Sequence, residues 1–283
     1  MQPAGYGSGQ CSRASAAGGS SADPLGQPHQ VPLTAAQPDA AVLNRAFPRG
    51  ESKHPMQIEC AAILFDLDGV LIDSTASITR HWQQWAQRHN LGLAEIMKVA
   101  HGRRTIETMR LVAPHLPVEE EALHFAAAEA ADTEGVVTID GALPLLNSLP
   151  TDAWAIVTSG GRELATARLK SRGLPVPRIM VTAEDVVNGK PDPEPYLVAA
   201  HVLGIPADQC VVVEDSPAGI AAAGAAGMRS VPIASTHAYR ELETATAIAR
   251  RLSDIQVDSG IASRLVIRIV SPDYASLSHS PSI

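Results

Sequence analysis

Between Cys60 and Ser74 the sequence reads Cys-Ala-Ala-Ile-Leu-Phe-Asp-Leu-Asp-Gly-Val-Leu-Ile-Asp-Ser, an apolar run that stops on two aspartates one residue apart. Cys60 to Phe65 is short for a helix and too uniformly apolar for an edge strand, so a buried strand of a parallel sheet is expected there. Asp66 and Asp68 then leave its carboxyl end, which is where open α/β sheets bind ligands. Alternate residues of an extended chain share a side, and two carboxylates meeting there repel unless a cation or a shared proton relieves them. A solvated acidic turn is the bland alternative, and the later strands decide between the two.

The chain has 283 residues, and its 45% hydrophobic content is ample for a core. A formal net charge of -8 and a pI near 5.7 argue against nucleic acid or an anionic membrane as partner, because such binders usually carry a basic face. An anionic substrate would then need a metal or a few local cations. With no run of about 18 apolar residues and no charged-then-apolar leader, a soluble cytoplasmic protein is expected. The three cysteines, Cys11, Cys60 and Cys210, are odd in number and widely spaced, with no Cys-x-x-Cys pair for zinc or redox work. Cys60 and Cys210 border apolar runs and are expected to be small buried hydrophobes.

Residues 1–55 are rich in Gly, Ser, Ala, Pro and Gln without an apolar period, the pattern of a disordered extension. An organellar leader, or translation starting at Met56, would account for the same segment. From Thr75 the period turns helical, with Ile78, Trp82, Trp85 and Ala86 on one face, so the tryptophans are expected in a core rather than as a stacking platform. Further helical stretches, Ala94 to Ala100, Thr105 to Val112 and Val118 to Ala131, fill an insert over 74–137. Another helix is expected over Thr138 to Leu149, with Asp140 as its cap.

Beyond the insert, apolar strands alternate with helices. Strands are expected at Ala153 to Val157, Ile179 to Thr182, Gln209 to Val213 and Ser230 to Ile233, with helices at Arg162 to Ser171, Pro193 to Leu203 and Pro217 to Gly227. This alternation predicts a doubly wound parallel α/β sheet, built from 56–73 and 138–260. Ile255 to Val257 and Leu265 to Val270 suggest a hairpin or edge strands, and 261–283 a last strand and a frayed tail.

The carboxyl ends of these strands gather Asp66 and Asp68, Thr158 and Ser159, the loop holding Lys190, and Glu214 with Asp215. Carboxylates, one ammonium and a hydroxyl at one sheet edge describe a magnesium-assisted phosphoryl-transfer site with a carboxylate nucleophile. Mg2+ prefers carboxylate oxygens, so Asp66 and Asp215 are candidate ligands, with Glu214 direct or through water. Lys190 would offset charge on the nucleophile and the phosphoryl oxygens. Thr158 and the amides of the Ser159-Gly160 turn, opening a helix, would hold the phosphate.

The runs Phe-Asp-Leu-Asp-Gly-Val-Leu-Ile-Asp-Ser, Ile-Val-Thr-Ser-Gly, Gly-Lys-Pro-Asp-Pro-Glu-Pro-Tyr and Val-Val-Val-Glu-Asp-Ser-Pro-Ala-Gly-Ile resemble the four motifs of the haloacid dehalogenase superfamily, in order. The resemblance covers about residues 57–235. It implies a Rossmann-like core with a mobile helical cap over 74–137, Asp66 as a nucleophile that becomes an aspartyl phosphate, and Asp68 as general acid then base. It also implies Thr158 as the phosphate-binding hydroxyl, Lys190 as the motif lysine, and metal-side acids drawn from Asp66, Asp68, Glu214 and Asp215. A halide leaves unprotonated whereas an alkoxide needs an acid, so Asp68 favours phosphate esters over dehalogenation. The loop His101-Gly102-Arg103-Arg104-Thr105 is similar to the substrate loop of sugar and polyol phosphatases, including those acting on 2-deoxyglucose 6-phosphate, glycerol phosphate and hexitol phosphates. Arg104, with Arg103 and His101 behind it, is therefore expected to reach a small sugar or polyol phosphate. Val70 stands where many of the family's phosphatases have Thr, as the sugar phosphomutases often do, and keeps a β-phosphoglucomutase-like isomerase as the alternative. A catalytically inactive sugar-phosphate-binding protein fits less well, since every chemical group is present. A monomer is expected because the cap must open.

Overall fold

The computed structural model describes residues 56–234, 247–259 and 264–270. The chain divides into two units, Met1–Ala46 and Phe47–Ile283, and all described residues belong to the second. The expectations for residues 1–55, for Cys11 and for the tail after residue 270 lie outside them.

The run expected as one strand from Cys60 is two strands. β1 (Met56–Cys60) exposes Gln57 and Glu59 and buries Ile58 and Cys60, the alternation of a strand with one wet face. β2 (Ala62–Phe65) is buried throughout. The rest of the chain follows as β3 (Ile72–Asp73), α1 (Thr75–Arg88), α2 (Leu93–Ala100), α3 (Thr105–Val112), α4 (Val118–Ala131), β4 (Val137–Thr138), α5 (Ala142–Ser148), β5 (Trp154–Val157), α6 (Arg162–Ser171), β6 (Met180–Val181), α7 (Glu194–Leu203), β7 (Cys210–Glu214), α8 (Pro217–Ala225), β8 (Arg229–Pro232), β9 (Ile255–Ser259) and β10 (Leu265–Ile269).

β2 lies at the centre of a five-stranded sheet in the order β6-β5-β2-β7-β8, all pairs parallel. This is the predicted doubly wound sheet. The strand order reverses at β2, so Asp66 leaves at the topological switch point. Alternate strand residues feed two cores. Ile63, Phe65, Ile156, Val211 and Val213 pack with Leu145 and Leu146 of α5 and Leu169 of α6. Leu64, Ala155, Val157 and Val212 pack on the other face with Tyr196 and Ala199 of α7 and Ala222 and Ala223 of α8. The near-continuous Ala and Gly of α8 let it lie close to the sheet. β9 and β10 form the expected antiparallel pair, and β1 joins β10 in a separate three-stranded sheet whose Leu265, Ile267 and Ile269 enter the first core.

The helical insert α1–α4 enters and leaves through β3 and β4, a two-residue antiparallel stem. Asp73 Oδ1 accepts from the Thr75 amide at 3.0 Å and so serves the start of α1. The insert has its own apolar cluster of Trp82, Trp85, Ile96, Met109 and Phe125, in which the two indoles meet edge to face at 5.4 Å. Trp85 donates to Glu121 at 2.8 Å, which satisfies its buried N–H. Pairing with β3 takes Val137 and Thr138, and the Ile139 amide donates to the Leu71 carbonyl. The expected helix from Thr138 therefore begins only at Ala142, capped by Gly141 rather than Asp140. No helix among the described residues is long and apolar enough to cross a membrane.

Cys60 and Cys210 are 2% and 0% exposed, and burial pushes their thiols up to about 12 and about 11. The thiolate is the reactive form. In a Cys11→Ser variant, no thiol should react with a disulfide reagent at pH 8 while the protein is folded, and two should react after denaturation. Fast reaction of either cysteine in the folded protein would contradict this packing.

Candidate active site

Asp66 follows β2 directly and continues its ladder, its amide donating to the Val213 carbonyl at 2.9 Å. Its Oδ1 accepts from Lys190 Nζ at 2.6 Å. The same ammonium donates to Glu214 Oε1 at 2.6 Å and to the Val157 carbonyl at 3.1 Å. Lys190 is 1% exposed, and Glu214 is fully buried. The other bonds of Glu214 come from the Tyr196 hydroxyl, the Asp215 and Ser216 amides and the Ser216 hydroxyl. Glu214 thus holds the lysine from behind, with both of its oxygens already occupied.

Burial pushes the Asp66 carboxyl up to about 7 despite the adjacent Lys190. Burial likewise works against ionisation of Glu214, but Lys190 and the bonds from Ser216 hold it below the usual carboxylate range. Desolvation pulls on Lys190, and the flanking Asp66 and Glu214 more than offset it, keeping the ammonium well above its ordinary range. One oxygen each of Asp66, Glu214 and Asp215 lie within 4.8 Å of one another. Three carboxylates against one ammonium leave two negative charges in a buried site (−3 + 1 = −2). This donor set suits a hard divalent cation, which Asp66 and Asp215 could hold beside Lys190. Gly69 leaves room for the Asp215 carboxylate: at φ +88°, an added Cβ would fall 1.9 Å from Asp215 Oδ2.

Asp68, expected among the metal-side acids, is not in that trio. Its Oδ1 accepts from Ser74 Oγ at 2.6 Å and from Arg168 Nη1 at 2.7 Å, and these bonds turn the carboxylate toward α6. Asp68 still lines the cavity that Asp66 and Asp215 share with Thr158, Ser159 and Gly160. The polar turn is committed differently from expectation. The Gly160 amide donates to Thr158 Oγ1 at 3.1 Å, and the Arg162 amide to the Glu184 carboxylate at 3.1 Å. In this arrangement both amides bond within the protein, while Thr158, Ser159 and Gly160 line the cavity. Ser159 donates to the Gly102 carbonyl at 2.8 Å, joining core to insert.

Within the insert, His101 and Arg103 line the cavity. Arg104, expected to reach the substrate, is not among the residues that line the cavity. Its guanidinium binds Glu107 Oε1 at 2.6 Å, the Val187 carbonyl at 2.6 Å and the Val186 carbonyl at 3.1 Å. Glu107 in turn accepts from the Gly189 amide at 2.9 Å. The reason is local: Glu107 lies one turn along α3, on the same face, and the chain beyond the short 3-10 turn Ala183–Asp185 presents carbonyls that need donors. Arg104 is a clasp between the insert and the Lys190 loop. Gly102 marks the closest approach, since a Cβ there, at φ +74°, would lie 2.2 Å from Ser216 Oγ.

Two cavity residues, Arg168 and Glu129, escape the sequence reading. Each interrupts the buried stripe of its own helix. Arg168 follows Leu164 and Ala165 on α6, and Glu129 follows Val118 and Phe125 on α4. A charge at such a position was the available signal.

The fold and site together define an α/β protein with an aspartate-centred acidic site at the carboxyl end of a parallel sheet, closed over by inserted helices. The chain belongs to the haloacid dehalogenase-like hydrolase family, whose sequence profile matches residues 63–233. It is 38% identical over 205 residues to hexitol phosphatase A of Escherichia coli (strain K12), covering 71% of this chain and 95% of that one. It is 37% identical over 200 residues to glycerol-1-phosphate phosphohydrolase 2 of Saccharomyces cerevisiae (strain ATCC 204508 / S288c), covering 66% and 80% respectively. The crystal structure of a hydrolase from Pseudomonas syringae superposes with a TM-score of 0.62 at 29% identity, covering 68% of this chain and 94% of that one.

Lys190→Met would leave Asp66 and Glu214 buried without their shared counter-charge. We expect a loss of about 3–5 kcal/mol in chemical denaturation. A loss under about 1 kcal/mol would mean that the lysine does not hold the pair together.

Proposed function

We propose that this protein is a magnesium-dependent phosphatase of small sugar or polyol phosphates, working through an aspartyl phosphate on Asp66. The observation that carries the reading is the division between the two aspartates. Asp66 sits in the acidic trio against Lys190, and Asp68 lines the cavity two residues on, tethered by Ser74 and Arg168. The first arrangement suits a nucleophile in a charge-neutralising site, and the place of Asp68 in the cavity outside that trio suits a proton carrier once it turns from Arg168 to the ester oxygen. The names of the hexitol and glycerol phosphate relatives support the substrate class.

Asp66 attacks phosphorus, forming a P–O bond as the bond to the ester oxygen breaks, while Asp68 gives its proton to the departing alkoxide. Water then attacks the aspartyl phosphate and loses a proton to Asp68, and the bond from phosphorus to Asp66 breaks, releasing inorganic phosphate and the free carboxylate. Asp66 and Asp215 would hold Mg2+, which when bound supplies charge neutralisation at the phosphoryl oxygens. Lys190 keeps Asp66 in place and adds a fixed positive charge beside it. Thr158 and Arg103 are the side chains we assign to the phosphate and its alcohol, with His101 beside them. The inserted helices keep bulk solvent out while leaving room for the one water that Asp68 activates. The same reading includes a monomer in the cytoplasm, because closure of the insert needs no second subunit.

Val70, which kept the mutase alternative open, is fully buried in the main core. It does not line the cavity, so we do not assign it a contact with the substrate that would favour isomerisation. The enzyme supplied with β-glucose 1-phosphate and a trace of the 1,6-bisphosphate should release phosphate. Rapid conversion to glucose 6-phosphate with little free phosphate would establish the mutase instead.

Asp66→Asn should reduce turnover of glycerol phosphate or hexitol phosphates to background. Asp68→Asn should slow it by about 10²–10⁴-fold, the usual contribution of a positioned acid and base, and should accumulate acid-stable phosphoprotein. Substantial phosphate release by Asp66→Asn in the presence of Mg2+ would remove it as nucleophile.

A further inference from the structure

Arg168 and Glu129 come from different parts of the chain, the first from α6 of the core and the second from α4 of the insert, and meet in the wall of the cavity that they line together with Asp66 and Asp68. They are 1% and 6% exposed. Around them the wall is apolar, with Ile78, Trp82, Met97 and Leu164. Sites of this composition use their few polar groups to orient the ligand.

The pair is under-satisfied. Arg168 Nη1 is committed to Asp68 at 2.7 Å, but Nη2 meets Glu129 Oε1 only at 3.4 Å, near the outer limit of a hydrogen bond. Arg168 Nε is buried with no partner among the described residues. A buried N–H left unpaired is costly and rare in a folded protein. A guanidinium can only donate and a carboxylate only accept, so one group that does both can complete them together, and a substrate hydroxyl is such a group. A second phosphate would be pushed away by Glu129, and a bare alkyl chain would satisfy neither partner.

The location of the pair fixes which hydroxyl. Arg168 grips the aspartate assigned to protonate the ester oxygen, so a hydroxyl held by Arg168 and Glu129 lies near that oxygen. We propose that Glu129 and Arg168 form a hydroxyl-reading pair that selects monophosphates of polyols with a hydroxyl close to the ester carbon, over simple alkyl phosphates and bisphosphates. This rests on the phosphatase reading above and names the part of the substrate that the site recognises. Glu129 is the specificity-determining member, while Arg168 also positions Asp68.

The test compares kcat/KM for glycerol 1-phosphate and n-propyl phosphate, which differ only in hydroxyls, in the full-length enzyme with Mg2+. The native enzyme should prefer glycerol 1-phosphate by roughly 10- to 100-fold, the range for hydrogen bonds to charged groups. In Glu129→Ala that ratio should fall to within a few-fold of one, mainly through a higher KM for glycerol 1-phosphate. Should that variant not fold, as judged by its thermal transition, Glu129→Gln keeps the shape without the charge and should lower the ratio several-fold. Hydrolysis of both esters with an unmoved ratio in a folded variant, or no preference in the native enzyme, overturns the pair while leaving the phosphatase in place. No phosphate release from either ester, nor from a panel of sugar phosphates, overturns the phosphatase reading and the pair's role with it.

Discussion

One ammonium buried between two carboxylates organises this molecule. Lys190 is sealed from water with Asp66 on one side and Glu214 on the other, and none of the three could be buried alone without a large desolvation penalty. Each reaches that point from a different place. Asp66 follows β2, Glu214 ends the neighbouring β7, and Lys190 arrives from the loop before α7. The parallel pairing of β2 with β7 is what brings the two acids together, and Tyr196 on α7 places its ring 5.2 Å from the ammonium. The sheet, the loop and the helix behind it are thus set by one electrostatic requirement as well as by apolar packing.

That requirement also explains how the charges are divided. Glu214 uses its oxygens on Lys190, Tyr196 and the turn that opens α8, so it is an anchor first. Asp66 is bonded to Lys190 on one oxygen only, in a site with surplus negative charge. Asp68 lies beyond the lysine's reach and has its own cation, Arg168, from α6. Two aspartates separated by a single leucine therefore have different partners and different surroundings, as distinct chemical roles demand.

Much of this could be read from the chain because buried parallel strands are unbroken apolar runs, and the polar groups that follow them fall at one edge of the sheet. The sheet, the insert and the grouping of Asp66, Lys190, Glu214 and Asp215 follow from that rule alone. The break between β1 and β2 was also present, in Gln57 and Glu59 alternating with Ile58 and Cys60, but the stronger apolar signal of β2 masked it. Arg103 and Arg104 are indistinguishable as letters. Which one faces the cavity depends on the rotation of α3 relative to the Lys190 loop, whose carbonyls lie some eighty positions away in sequence. Arg168 and Glu129 are similarly remote from the residues they meet, and only the interruption of an apolar stripe betrays them.

The clasp made by Arg104 binds main-chain carbonyls of the loop before Lys190 rather than its side chains. Every residue type offers a carbonyl, so Val186 and Val187 could be replaced over evolutionary time without loss of the bonds that join insert to core. The insert, with its own apolar centre and a two-residue stem, could likewise change its interior while docking in the same place. This clasp is written in the backbone, which leaves side chains around the cavity free to diverge toward new alcohols while the buried charges beneath them stay fixed.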